Sequence, residues 1–266
     1  MEGDNLMYQE ERLIEIIRYL NKNRRISVDQ ICDLFDVSRD TARRDLVKLE
    51  DRKAIVRTRG GAILPSSHNV IKDYTKRLET VSQEKQKIGN KAASLIQFGD
   101  KIILDTSTTV QACADKMEAM ECTVITNSIN QAEILSNKKH VNIQLLGGAL
   151  QKEHRFLFGT SVIERLRKFH VDKAFIGVVG ISENGLTIAH EEDGMVKKNM
   201  IRQAKQVIVL ADHTKFGVTE FFQFAALEDV DLIITDKAPE PDFQHLLDQN
   251  EVELLVAEEE VVDVWS

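Results

Sequence analysis

Seven short apolar segments constrain this chain more than any other feature: Lys101–Leu104, Thr123–Thr126, Asn142–Leu146, Lys173–Val178, Gln206–Leu210, Leu232–Thr235 and Glu253–Val256. Stretches of helical length separate them, among them Val110–Met117, Ile129–Leu135, Ser161–Phe169 and Val196–Ala204. Strands that are apolar throughout need cover on both faces, and connections that hold a helix make neighbouring strands parallel. The second part of the chain is therefore predicted to be a mostly parallel α/β sheet. Ligands on such sheets bind beyond the carboxyl ends of the strands, so the residues that follow each segment are the first place to look for a site.

Those residues are small and polar. Asp105-Thr106-Ser107-Thr108-Thr109 follows the first segment and runs into a helix, and Thr126-Asn127-Ser128 does the same after the second. Gly147-Gly148 follows the third, Gly177 and Gly180 bracket the end of the fourth, and Ala211-Asp212-His213-Thr214-Lys215-Phe216-Gly217 follows the fifth. Hydroxyls and free N–H groups at a helix start attract anions, and a lysine from another loop completes a phosphate site. A phosphorylated sugar or polyol fits this mixture. Thr106, Ser107, Thr108, Thr109 and Lys215 would take the phosphate, Asp105 and Asn127 the sugar hydroxyls, and Gly147 and Gly148 would allow close approach. Each residue also has a plainer reading, as a helix cap, a tight turn or a solvated lysine. It is their convergence on one sheet edge that argues for a site.

The first part of the chain follows different rules. Leu13, Ile16, Ile17 and Leu20 form one buried helical stripe. Ser27-Val28-Asp29-Gln30 is a capping box opening a helix whose inner face is Ile31, Leu34 and Phe35. Only Asp36-Val37 separates it from Ser38, which caps a third helix with Ala42, Leu46 and Leu49 inside. Asp40, Thr41, Arg44 and Lys48 then point outward, with Arg43 on the flank. Two helices joined by a tight turn, the second basic on its outer face, are the parts of a helix-turn-helix. Ile55–Thr58 and Ala62–Leu64, joined through Arg59-Gly60-Gly61, are expected to form a two-stranded wing with a basic tip. The expected DNA contacts are Ser38, Arg39, Asp40, Thr41, Arg43, Arg44, Lys48, Arg57, Arg59 and Gly60.

Net charge alone, −8 over 266 residues, argues against nucleic acid. It is an average over two unlike parts. Pro65-Ser66-Ser67-His68-Asn69 reads as a linker; residues 1–64 carry 13 basic and 12 acidic side chains, and the rest carries 22 and 31. Residues 37–59 alone hold eight basic residues against four acids. The expected organisation is a DNA-binding domain at 1–64, a linker at 65–73, and a sensing and oligomerisation domain at 74–266.

These residues resemble the DeoR/GlpR family of bacterial transcription regulators. The first module carries the likeness in Ser38-Arg39-Asp40-Thr41-Ala42-Arg43-Arg44-Asp45-Leu46 and in Arg57-Thr58-Arg59-Gly60-Gly61-Ala62. In the second it runs from Gly99-Asp100 through Asp105–Thr109, Thr126-Asn127-Ser128, Gly147-Gly148 and Asp172–Gly177. It continues through Gly185-Leu186-Thr187 and Val196–Ile201 to Asp212–Gly217 and Ile234-Thr235-Asp236, in the family's order. The resemblance implies a winged helix-turn-helix followed by a domain similar in fold to ribose-phosphate isomerases and coenzyme A transferases. It also implies a phosphosugar effector, double-stranded operator DNA as partner, a homo-oligomer (dimer or tetramer) and a repressor of a sugar or polyol catabolic operon.

Other chemistries find little support. His190-Glu191-Glu192-Asp193-Gly194 has Gly where a zinc-protease helix needs its second His, and Cys32, Cys113 and Cys122 form no C-x-x-C pair. No metal or other cofactor is expected. A phosphosugar isomerase with a DNA-binding appendage is the enzyme alternative, with Glu191 or Asp193 as its base. No run is long and apolar enough for a membrane span, and Met1–Asp4 lacks the basic and apolar parts of a signal peptide, so a cytoplasmic protein is expected.

Overall fold

Burial of three helical stripes against a small sheet organises the first part of the chain. The computed structural model describes residues 9–257 except 24, 53, 59, 64–81 and 118–120. Its contacts divide the chain into two units, Met1–Ile71 and Lys72–Ser266. The expected linker at 65–73 and the tail from residue 258 lie outside the described residues.

In the first unit, α1 (Gln9–Asn23), α2 (Val28–Phe35) and α3 (Arg39–Asp51) close on one core. Leu13, Ile16, Leu20, Ile31, Ala42, Leu46 and Leu49 meet there with Ile26, Ile55 and Ala62. The capping box is made: Ser27 Oγ accepts from Gln30 N–H at 3.1 Å, and Gln30 Oε1 accepts from Ser27 N–H at 2.9 Å. Asp36 ends α2 in a left-handed conformation (φ 48°), which an Asp tolerates, and Ser38 starts α3 by accepting from Thr41 N–H at 3.2 Å. Leu34, expected inside, is 51% exposed. The inner stripe of this short helix is Val28, Ile31, Cys32 and Phe35, and at 100° per residue Leu34 falls off it.

The wing has one more strand than expected. β1 (Arg25–Ser27) joins β2 (Val56–Thr58) and β3 (Gly61–Ile63) in the order β1-β3-β2. Three residues are too few to show alternation in sequence. Gly61 is needed there, since a Cβ would stand 2.1 Å from the Ile26 carbonyl oxygen.

A buried ion pair ties α1 to α3. Arg12 Nε donates to Asp45 Oδ2 at 2.5 Å, and Gln9 Nε2 donates to Asp45 Oδ1 at 2.8 Å. Asp45 is fully buried.

In the second unit the strands are β4 (Lys101–Leu104), β5 (Cys122–Thr126), β6 (Val141–Leu145), β7 (Ala149–Gln151), β8 (Phe156–Phe158), β9 (Val171–Gly177), β10 (Gly180–Ser182), β11 (Gly185–Ile188), β12 (Ala204–Leu210), β13 (Phe222–Ala225), β14 (Leu232–Thr235) and β15 (Glu253–Val256). The main sheet has seven strands, all parallel, in the order β15-β14-β12-β9-β4-β5-β6. Every predicted strand is in it. Helices α4 (Gln83–Ala93), α5 (Thr108–Lys116), α6 (Ile129–Ser136), α7 (Thr160–Leu166), α8 (Glu191–Ile201) and α9 (Pro241–Gln249) make up the rest of the layers. Adjacent residues enter different cores, Ile103 one and Ile102 and Leu104 the other, so both faces of the sheet are covered.

The β7–β8 hairpin and a three-stranded antiparallel sheet, β10-β11-β13, were not predicted. Between β13 and β14 a 3-10 turn at Leu227–Asp229 buries Leu227 and Val230. Among the described residues no helix is long and apolar enough to cross a membrane.

Strand order places the site. From β4 the chain moves outward to β5 and β6, returns to β9 on the other side of β4, and then moves outward to β12, β14 and β15. The β4/β9 junction is thus the topological switch point, the place where open α/β sheets form their ligand crevice beyond the carboxyl ends. Helices α4 and α5 approach closely beside it, since a Cβ on Gly89 would stand 2.5 Å from the Ala112 carbonyl carbon.

Candidate functional site

Two surfaces carry the chemistry. On α3, Ala42, Leu46 and Leu49 are buried and Asp40, Arg43 and Arg44 are exposed, as a helix lying on a core requires. The basic residues divide into two groups. Arg39 pairs with Asp29, Arg57 lies 3.5 Å from Glu50, and Lys48 and Arg52 each reach Glu10 at 2.8 Å. The hydrogen bonds from Arg52 and Lys48, that of Arg52 first, draw the Glu10 carboxyl down to about 2. Among the described residues Arg43 and Arg44 have no such partner, which leaves both guanidinium groups available to an external acceptor. Thr41 stands beside them with its hydroxyl 3.0 Å from that of Ser38. Gly60 lies at the wing tip with φ 98° and open space around it, while Arg59 falls outside the described residues.

The second surface is the switch-point crevice. Asp105, at the end of β4, is fully buried and accepts from Ser107 N–H at 2.8 Å and from Gly177 N–H, at the end of β9, at 2.6 Å. Its second oxygen also accepts from Lys197 Nζ, which reaches in from α8 and donates again to the Gly177 carbonyl at 3.1 Å. A lysine ammonium buried to 2% exposure is stable only with such partners. Gly177 has no room for a side chain, because a Cβ would stand 2.1 Å from Ser107 Oγ. The oxygens of Asp105 are thus engaged inside the protein, where they fix the path of the loop.

That loop leads into α5. Ser107 caps the helix by accepting from Val110 N–H at 3.1 Å. Thr106, Thr108 and Thr109 are buried to 7% exposure or less, and the last two form the first turn of the helix. Lys85, from the first turn of α4, donates to Thr108 Oγ1 at 3.1 Å. The crevice therefore has a cation at its helix N-terminus, contributed by an element that sequence reasoning left unread.

The remaining predicted residues stand around the same edge with different tasks. Asn127 is fully buried; its Nδ2 donates to the Leu157 carbonyl at 2.9 Å, and its Oδ1 has no hydrogen-bond partner. Gly147 has open space around it, whereas a Cβ on Gly148 would stand 2.4 Å from the Phe158 carbonyl oxygen, so Gly148 serves hairpin packing. Lys215 lies 3.7 Å from Asp212 in the loop that follows β12. His213 in that loop is held by Asp236, with Nδ1 2.7 Å from Oδ2. The start of α4 lies near this loop. Glu84 is held below the usual carboxylate range chiefly by its hydrogen bond with Ser82, with a smaller part from the charge of His213.

Lys85 and Lys197 are the residues that spacing did not single out. No periodicity marks a lysine whose partner is a distant loop. Among the described residues no group of three or more His, Cys, Asp or Glu could hold a metal ion. Glu191 is exposed at the start of α8, while Asp193 is buried.

Comparison with known proteins agrees with this division. Residues 12–68 match the DeoR-like helix-turn-helix domain, and residues 80–237 match the DeoR C-terminal sensor domain. The chain is similar to the HTH-type transcriptional repressor GlcR of Bacillus subtilis, 65% identical over 96% of this chain and 98% of that protein. It is also similar to the glycerol-3-phosphate regulon repressor of Escherichia coli, 29% identical over 93% and 99%. Among solved structures, ribose 5-phosphate isomerase A of Methanocaldococcus jannaschii aligns at 18% identity and a TM-score of 0.38. That match covers 53% of this chain and 55% of the other, a likeness too partial to carry activity across.

Proposed function

The chain belongs to the DeoR family of DNA-binding transcription regulators, and from that premise we propose that it is a repressor released or recruited by a phosphorylated sugar or polyol. The effector would sit in the switch-point crevice. The observation that carries this reading is Lys85 on the Thr108 hydroxyl, a cation at a helix N-terminus rich in hydroxyl side chains. Thr106, Ser107, Thr108, Thr109, Lys85 and Lys215 would hold the phosphate. Asn127, with its spare acceptor, and the open edge at Gly147 suit the sugar hydroxyls, while Asp105 and Gly148 shape the walls. The relatives named as repressors support the sign of regulation. Family membership makes the chain a regulator rather than an enzyme.

DNA would be bound by Ser38–Lys48 of the head and by the wing at Arg57–Gly60, in a cytoplasmic homo-oligomer of even order matched to paired half-sites. An effector can change operator affinity only through a difference in its own affinity for the two states. The acidic second part repels DNA phosphates and so leaves contact to the head.

Two measurements test the reading. Arg44→Ala is expected to weaken binding to an enriched operator by about 10–100-fold, the worth of a bidentate base contact, with melting unchanged. An unaltered footprint would remove α3 from base readout. For the crevice, a thermal-shift screen against phosphorylated sugars and polyols should find a ligand that adds about 2.7 kcal/mol at a hundredfold excess over its Kd. Lys215→Ala should lose that shift while operator binding persists. A full shift in the variant places the phosphate elsewhere.

A further inference from the structure

The apolar residues of α3 divide sharply. Ala42, Leu46 and Leu49 are at most 3% exposed, whereas Val47 is 40% exposed. Val47 follows Arg44 by three residues and Arg43 by four, so these side chains share one face of the helix. Together with Asp40, Lys48 and Asp51 they line a single surface groove. On a solvated helix a valine is a poor occupant: it restricts χ1, has lower helix propensity than the Lys or Glu around it, and gains little from burial. What it does offer is a pair of methyl groups held largely in one rotamer on the same helix face as Arg43 and Arg44, which have no partner among the described residues.

Building on the reading of α3 as the recognition helix, we infer that Val47 contacts the C5-methyl group of a thymine in the operator. That methyl is the apolar feature that base edges display in the major groove. Covering it removes both apolar surfaces from water. The geometry also sets the spacing. Three helical residues advance about 4.5 Å, and one base pair about 3.4 Å. The thymine therefore lies one or two base pairs from the guanine that Arg44 contacts. Val47 would make the protein distinguish T·A from the other pairs at that step, where arginine alone reads only the neighbouring guanine.

The test uses duplexes enriched from a random library by the full chain. Each thymine within two base pairs of a recurrent guanine is replaced in turn by deoxyuridine, which removes only the methyl group. One replacement is expected to weaken binding by about fourfold, the worth of one buried methyl-sized group. The same replacement should leave Val47→Ala unaffected, because that variant has already lost the contact and binds the parent duplex about as weakly. Val47→Ala should melt with the wild type, so unfolding does not imitate the result. Equal losses in both proteins, or no loss at any thymine, overturn the inference and leave DNA binding by the head intact. A library from which the chain enriches nothing overturns the reading of the head as well.

Discussion

Asp105→Ala is expected to destabilise the second unit by about 3–5 kcal/mol, the usual cost of stripping one partner from a buried ion pair. At roughly 2–4 °C per kcal/mol for a domain of this size, its melting temperature should fall by about 6–20 °C. The cause is Lys197, whose ammonium is 2% exposed and loses the carboxylate that balances its charge. The Gly177 and Ser107 N–H groups also lose their carboxylate. Adding Lys197→Met to the variant removes the stranded charge and should recover part of the loss, since apolar replacement of a buried pair is often neutral or better. Effector binding should not recover with it, because the Ser107 loop has lost its anchor. Calorimetry on the single and double variants decides the matter. A single variant that melts with the wild type would show that the ammonium escapes to water at little cost.

Asp45→Ala should have a still larger functional effect without touching the DNA-facing surface. Its carboxylate joins Arg12 and Gln9 inside the head, and its loss is again worth about 3–5 kcal/mol. A domain of roughly 60 residues buries only about 60% of its unfolded surface and has little stability to spare. The head should therefore unfold while the second unit keeps its own transition. DNA binding should vanish, and the effector-induced thermal shift should survive. Limited proteolysis confined to residues 1–71 would confirm the cause. Arg44→Ala is the contrast, with binding weakened and the head still folded. A folded Asp45→Ala head would show that Asp45 is dispensable for packing.

What could be read in advance follows the range of each interaction. The seven strands were legible because a parallel strand buried on both faces is apolar along its whole length, as in Ile102-Ile103-Leu104. The capping box at Ser27 and the cap at Ser38 were legible because each spans only three residues. β10, β11 and β13 were not, being three or four residues long, with β10 and β11 each opening on a glycine. Leu34 was misplaced because a helix of eight residues leaves the stripe direction loosely defined. Asp45 looked like one more acid on a charged helix, and its partner Arg12 lies 33 residues away. Lys85 and Lys197 acquire their roles from Thr108 and Asp105, at separations of 23 and 92 residues. Hydroxyl-rich loops are visible in the sequence; the cations that meet them come from elsewhere in the chain.

The strand order also bears on how the second unit assembles. β4, β5 and β6 pair as near neighbours in sequence, and so do β9, β12, β14 and β15. Each group can gather by closing short loops. Within the sheet the two groups meet in a single pairing, β4 with β9, and that junction closes over some seventy residues of chain, a slow step by contact order. The crevice lies across this seam, with Asp105 on one half and Gly177 on the other. A ligand bound there would act as a clasp between the two halves of the sheet, and a half-assembled chain would have nothing for it to hold.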